Sequence, residues 1–139
     1  VSGIRLANEH RPDLQLQVGS AYDDLAARFG RFPAVVSLEV VEHVYAPRSY
    51  ASTLFELVED GGVALVSTPY HGYLKNLAMA LTGSLDAHFT ALRDHGHIKF
   101  WSEKTLGALL LEAGFRSVSF ERAGRIRPLA KSMIAVALR

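Results

Sequence analysis

Cysteine is absent from all 139 residues, which excludes a disulfide framework and any thiolate metal site. That absence suits a reducing compartment, and a cytoplasmic location is the expectation. Long apolar runs are missing too. Lys, Asp or Gly interrupts each of them well before the roughly 18 residues that a membrane-spanning helix needs, and no signal-like segment opens the chain, so stable membrane insertion is not expected. Nor does one sign of charge dominate: 15 Lys and Arg stand against 14 Asp and Glu, a net charge of +1. Nucleic acid as a partner therefore has no electrostatic basis. No Gly-x-Gly occurs anywhere, so the glycine turn that admits a dinucleotide phosphate to a helix start is not encoded here.

What is present suffices for a packed core. With 49% hydrophobic and 21% charged residues, the chain reads as one globular domain over residues 1–139. Leu14 to Val18 reads as a strand ending at Gly19, and Asp23 to Phe29 as a short helix. Ala34 to Glu39 is a nearly continuous apolar run, the pattern of a parallel strand covered on both faces. Pro47 suits a first helical position, and Tyr50, Leu54, Leu57 and Val58 recur at helical spacing until Gly61-Gly62 stops them. Val63 to Thr68 is a second buried strand, which completes a βαβ unit with a right-handed crossover expected. Residues 70–100 break the alternation and read as an insertion, a lid or acceptor-binding segment, with an amphipathic helix from Tyr73 to Leu81. Ser102 caps a helix that Gly114 terminates. Phe115 to Glu121 and Ser132 to Leu138 then read as strands of an antiparallel hairpin.

The run Ser37-Leu38-Glu39-Val40-Val41-Glu42-His43-Val44 at the end of a buried strand, the strand ending Ser67-Thr68-Pro69, and Ala113-Gly114-Phe115 before a closing hairpin together resemble the class I S-adenosylmethionine-dependent methyltransferases. Glu39-x-x-Glu42-His43 is similar to the ubiquinone-pathway O-methyltransferases and the plant small-RNA 2′-O-methyltransferases. The resemblance implies an α/β fold: a Rossmann-like sheet, mostly parallel with a C-terminal antiparallel hairpin, whose N-terminal strands are missing from these 139 residues. It also implies that the glycine turn and an acidic residue for the ribose belong to a longer enzyme, and that the fragment alone is inactive. Unpaired apolar strand edges would then invite exchange between protomers, as in a homodimer.

Sheets of this kind bind ligands at the carboxyl ends of their strands. The resemblance implies that Ser20 and Ala21 meet the adenine of S-adenosylmethionine, and that the loop of Ser37, Leu38 and Glu39 passes its methionine part. For Glu39, Glu42 and His43, which end an apolar strand, three readings stand side by side. Glu42 and His43 cap or hydrogen-bond the following helix; or His43, with Glu42, acts as a general base toward an acceptor hydroxyl; or Glu39, Glu42 and His43, joined by His97, hold a divalent metal ion. The resemblance to the plant enzymes implies the last.

His97 is favoured over His95 as the contribution of the insertion, and the resemblance also implies that a histidine before the aromatic pair Phe100-Trp101 orders a closing loop. His71 and His88 read as surface or lid histidines, and Tyr70 and Tyr73 as packing or pocket-lining residues. The helix Tyr73 to Leu81 is expected to pack on the enzyme rather than meet a membrane, since its polar side lacks Lys and Arg enrichment. Arg116, Arg122, Arg125, Arg127, Lys131 and Arg139 read as a solvated face or a patch for an anionic acceptor. The expected function is methyl transfer to a small-molecule acceptor, at a hydroxyl. The alternative is a non-catalytic Rossmann-like scaffold or interaction module.

Overall fold

The computed structural model describes residues 2–14, 16–124 and 130–139. Ten elements follow in the order α1 (Ser2–His10), α2 (Leu25–Phe29), β1 (Phe32–Leu38), α3 (Pro47–Leu57), β2 (Val58–Pro69), α4 (Tyr73–Leu81), α5 (Leu85–Phe89), α6 (Glu103–Glu112), β3 (Ser117–Ala123) and β4 (Ser132–Leu138). The strands form one sheet in the order β1-β2-β4-β3. β1 runs parallel to β2, with Val36 opposite Leu65. β4 runs antiparallel to β2 and to β3, so three strands share one direction and β4 alone opposes them. The mixed α/β sheet matches the expected Rossmann-like arrangement.

α3 forms where Pro47 occupies the start of the helix and needs no N–H partner. Its buried residues Tyr50, Ala51, Leu54 and Leu57 make one stripe, which packs with α6 over the sheet. α6 starts at a capping box between Ser102 and Thr105, which satisfies N–H groups that the first turn leaves free. Gly114 ends that segment at φ 115°, a backbone conformation that a side chain would strain. Leu106 and Leu110 are fully buried, each contributing about 1.5–3 kcal/mol by leaving water. Met133, Ala135 and Ala137 of β4 and Ala64 and Val66 of β2 face them from the sheet.

Several expectations change. Residues 16–18 of the expected Leu14 to Val18 strand have no regular structure. Among the described residues β1 pairs only with β2, so residues 16–18 have no ladder there to satisfy their backbone groups. β1 itself is an edge strand and is not covered on both faces: Val36 is 57% and Leu38 65% exposed. α3 stops at Leu57, before Gly61-Gly62, because β2 already begins at Val58 and pairs with Phe32. The hairpin strand begins at Ser117 rather than Phe115. α4 forms as expected, yet Leu74, Leu77 and Leu81 are exposed. Its half-buried residues are instead Lys75, Asn76 and Met79. Arg125 and Arg127 lie outside the described residues.

Candidate functional site

The carboxyl end of β1 separates two cavities. The larger, about 430 Å³, is lined by Ser20, Ala21, Ser37 and Leu38 together with apolar residues of α2 and α3. Four residues expected from sequence at a cofactor are thus gathered in one cavity, of a size within the roughly 300–1,000 Å³ typical of ligand sites. Its floor is ordered from below: the Tyr50 hydroxyl donates to Ser37 Oγ at 2.7 Å. Next to Ala21, the Tyr22 hydroxyl accepts from the backbone N–H of Tyr45 at 2.8 Å and of Ala46 at 3.3 Å, which ties this segment to the start of α3. Glu39, the fifth of those residues, turns away and lines a second chamber with His71, Lys75, His88, His97 and Lys131.

The turn at Glu39 has a visible cause. Its φ of 52° is in the left-handed region, which a side chain adopts only when its surroundings hold it there. Ser67 at the end of β2 does so. The Glu39 N–H donates to Ser67 O at 3.2 Å and to Ser67 Oγ at 3.1 Å, while the Ser67 hydroxyl donates to Glu39 Oε1 at 2.8 Å. Sequence reading gave Ser67 no role, since a serine near the end of a buried strand is an ordinary occurrence.

Beyond Glu39, the loop brings Glu42, His43 and His97 together, with potential ligand atoms all within 4.8 Å of one another. The His43 and His97 rings lie 4.9 Å apart, edge to face. His43 Nδ1 is 3.2 Å from Gly96 O, and the carbonyl of Glu42 accepts from the N–H groups of Ile98 and Lys99 at 2.9 and 3.0 Å. Trp101 Nε1 donates to Val41 O at 3.0 Å. The insertion is therefore tied to the loop by backbone bonds, which no motif announces.

Glu42 is 1% exposed, and among the described residues neither carboxylate oxygen makes a hydrogen bond of good geometry. Burial is the chief cause that raises its pKa above the ordinary carboxylate value; the charge of Glu39 adds to it, while a backbone hydrogen bond, the Thr68 hydroxyl and the charge of His43 oppose it. A buried carboxyl in that state is costly unless something compensates it. Neither Glu42 nor His43 caps α3, whose N-cap is Ala46 with no side-chain bond; the capping reading fails. A cation fits the orphaned oxygens and the two imidazoles, a donor set suited to magnesium, manganese or zinc.

His95 is not in this group, because its φ of 59° breaks the extended path that would have aligned it with His97. Burial and the charges of His43 and Arg93 push the His97 pKa down, against a smaller opposing effect of Glu39. His71, expected at the surface or in a lid, is 8% exposed. Burial, with help from the charge of Lys75, lowers its pKa to about 4. Its ring stacks on Phe89 at 5.9 Å and meets Phe100 edge-on at 5.1 Å. Tyr70 is buried, with the Arg122 guanidinium 4.6 Å over its ring, whereas Tyr73 is exposed. Among the described residues no helix is long and apolar enough to cross a membrane.

Residues 4–119 match the family model described as a methyltransferase domain. The chain is 34% identical over 105 residues to a ubiquinone biosynthesis O-methyltransferase of Cereibacter sphaeroides, an alignment covering 75% of this chain and 41% of that protein. A protein of the same name from a Caulobacter species is 35% identical over 85 residues, covering 58% of this chain and 33% of its own. Among solved structures, a putative O-methyltransferase from Nostoc punctiforme superposes with a TM-score of 0.70 at 13% identity, covering all of this chain and 42% of that one. The chain thus spans about two-fifths of the length of the first of these relatives.

Proposed function

Because this chain belongs to the methyltransferase domain family, we propose that it supplies part of a site for S-adenosylmethionine-dependent methyl transfer to a hydroxyl of a small molecule. The observation that carries this reading is the division made at the end of β1: Leu38 lines one cavity and Glu39 the next. A donor on one side and an acceptor on the other would meet across that strand end, and positioning of this kind lowers the barrier to an in-line displacement.

In this reading the larger cavity takes the donor. Ser20 and Ala21 border its adenosine part, and the backbone of Ser37 and Leu38 borders the methionine part. S-adenosylmethionine would supply an electrophilic methyl group on a cationic sulfonium. The chain's own residues bind, orient and manage the acceptor's proton. His43 is exposed at the loop, where one ring nitrogen faces the Gly96 carbonyl and the other is free to take that proton. Glu42, His43 and His97 would hold a divalent cation, with Glu39 close enough to shift His97 electrostatically. A cation there would lower the pKa of the acceptor hydroxyl. The orphaned Glu42 carboxylate favours this second role over His43 acting alone.

Titration with S-adenosylhomocysteine of a protein that carries this chain together with the glycine turn, followed by backbone amide resonances, tests the donor side. Shifts concentrated at Ser20, Ala21, Ser37 and Leu38 are expected, and shifts confined to other parts of the sheet would sink the assignment. Manganese titration tests the cation. Line broadening should centre on Glu42, His43 and His97 and disappear in His97→Ala; broadening that persists unchanged there would remove the cation and leave His43 as base.

A further inference from the structure

The loop between β1 and α3, residues 39–46, carries Glu39, Glu42 and His43 and is held at three places. Ser67 holds its start, through Glu39. The insertion holds its middle, where Ile98 and Lys99 donate to the Glu42 carbonyl and Trp101 to that of Val41. Tyr22 holds its end, because the N–H groups of Tyr45 and Ala46 both donate to the Tyr22 hydroxyl.

That end has no local cap. The N-cap of α3 is Ala46, whose methyl group offers no acceptor, and Pro47 follows without an N–H. A helix start leaves N–H groups that need an acceptor from elsewhere. Here a phenol oxygen from 23 residues away supplies it. Tyr22 is 45% exposed and takes no part in the core, so its hydroxyl, more than its ring, is what the fold uses.

Tyr22 also belongs to the wall of the larger cavity. Its N–H donates to Ser20 Oγ at 3.2 Å, the Ser20 N–H donates to Asp23 Oδ2 at 2.8 Å, and the Asp23 N–H returns to Ser20 O at 3.1 Å. Residues 20–23 are therefore one closed turn, and Ser20 and Ala21 of that turn line the cavity. Of the three anchors, only Tyr22 reaches the loop from that wall.

We propose that Tyr22 is a positioning residue that couples the two sides of the site: an adenosine-bearing ligand that orders Ser20 and Ala21 steadies the end of the loop through the Tyr22 hydroxyl, and so tightens the hold of Glu42, His43 and His97 on a divalent cation. The cation must then tighten the adenosine ligand by the same factor. The two ligands rest on the methyl-transfer reading above; the link from Ser20 to Tyr45 does not.

The test uses a protein that carries this chain together with the glycine turn, titrated with manganese in the presence and absence of saturating S-adenosylhomocysteine. In the parent, S-adenosylhomocysteine should tighten manganese about tenfold, and Tyr22→Phe should reduce that factor to about twofold or less while each ligand still binds alone. Ala46→Ser gives α3 a cap of its own. Added to Tyr22→Phe, it should restore the melting temperature and leave the coupling lost; were Tyr22 only a cap, both would return. Independent binding in a parent that takes both ligands would overturn the proposal, as would coupling that survives Tyr22→Phe or returns with Ala46→Ser. The methyl-transfer reading would stand in each case.

A second measurement needs no ligand. Ser20→Ala removes the acceptor of the Tyr22 N–H and should speed amide exchange at His43, Tyr45 and Ala46 about tenfold, yet add nothing in the Tyr22→Phe background. Additive effects of the two substitutions, or no effect of Ser20→Ala on those amides, would remove the link. If the parent binds neither S-adenosylhomocysteine nor manganese, the methyl-transfer reading falls together with the ligands named here, and this cycle decides the link by itself.

Discussion

Trp101 donates from its indole Nε1 to the carbonyl of Val41 at 3.0 Å, and both residues are buried. Val41 immediately precedes Glu42, and Trp101 closes the segment that carries His97. With the Ile98 and Lys99 N–H bonds to the Glu42 carbonyl, this hydrogen bond ties together the two halves of the candidate cation site.

Trp101→Phe keeps an aromatic ring but leaves the Val41 carbonyl without its donor. The expected loss of stability is about 1–3 kcal/mol, read by chemical denaturation. Manganese affinity should fall as well, because His97 is no longer held beside His43. Undiminished affinity in a folded Trp101→Phe chain would show that the backbone bonds of Ile98 and Lys99 suffice.

Glu42→Gln should separate stability from function. The pKa of Glu42 is raised in the folded chain by burial and by Glu39. The folded state therefore binds the proton more tightly than the unfolded one, and stability falls as pH rises through the carboxyl's titration. Removing the charge should stabilise the chain near pH 7 by about 1 kcal/mol, an advantage that shrinks as pH falls toward the ordinary glutamate value of 4.5. Manganese affinity should drop about tenfold or more. Thermal melts across pH, paired with manganese titration, check both effects.

His71 should give a slope of opposite sign. Its pKa is lowered from 6.5 to about 4 by burial and neighbouring charge, so the unfolded chain takes up the proton first. Its contribution is complete above about pH 6.5 and is lost as pH falls toward about 4. His71→Asn should flatten that part of the stability profile by about 1 kcal/mol, a figure reduced for solvent screening. A profile identical to the parent chain would show that His71 is not the group responsible.

Gly72→Ala tests the joint between β2 and the insertion. The backbone there is unstrained, but an added Cβ would fall within the ring of Tyr70, which is buried under Arg122. A destabilisation of about 1–3 kcal/mol is expected from displacing that ring, and Tyr70→Leu in the same background should recover part of it.

The sequence by itself determined the local grammar of this protein. Pro47 with the stripe of Tyr50, Leu54 and Leu57 made α3 legible, and Ser102 with Gly114 bracketed α6. The apolar runs at Ala34 and Val63 marked β1 and β2, because a strand's preference for such residues is written within a few positions. The loop from Glu39 to His43 was legible as a site because charged side chains ending an apolar strand have no packing reason to be there.

Only the tertiary structure decided which of those side chains share a space. Glu39 and Glu42 are three residues apart, yet Ser67 takes the first while the second is buried beside Thr68. His97 joins His43 across more than fifty residues, whereas His95, two positions away, does not. The segment Leu14 to Val18 has strand-like residues, but strand structure needs a neighbour's backbone, and none of the described strands is placed to provide it. The same distinction covers Lys75, Lys131 and His71. Local preference acts through adjacent residues, but electrostatics, burial and hydrogen-bond pairing act through space, and they become fixed once β2, β4 and the insertion meet.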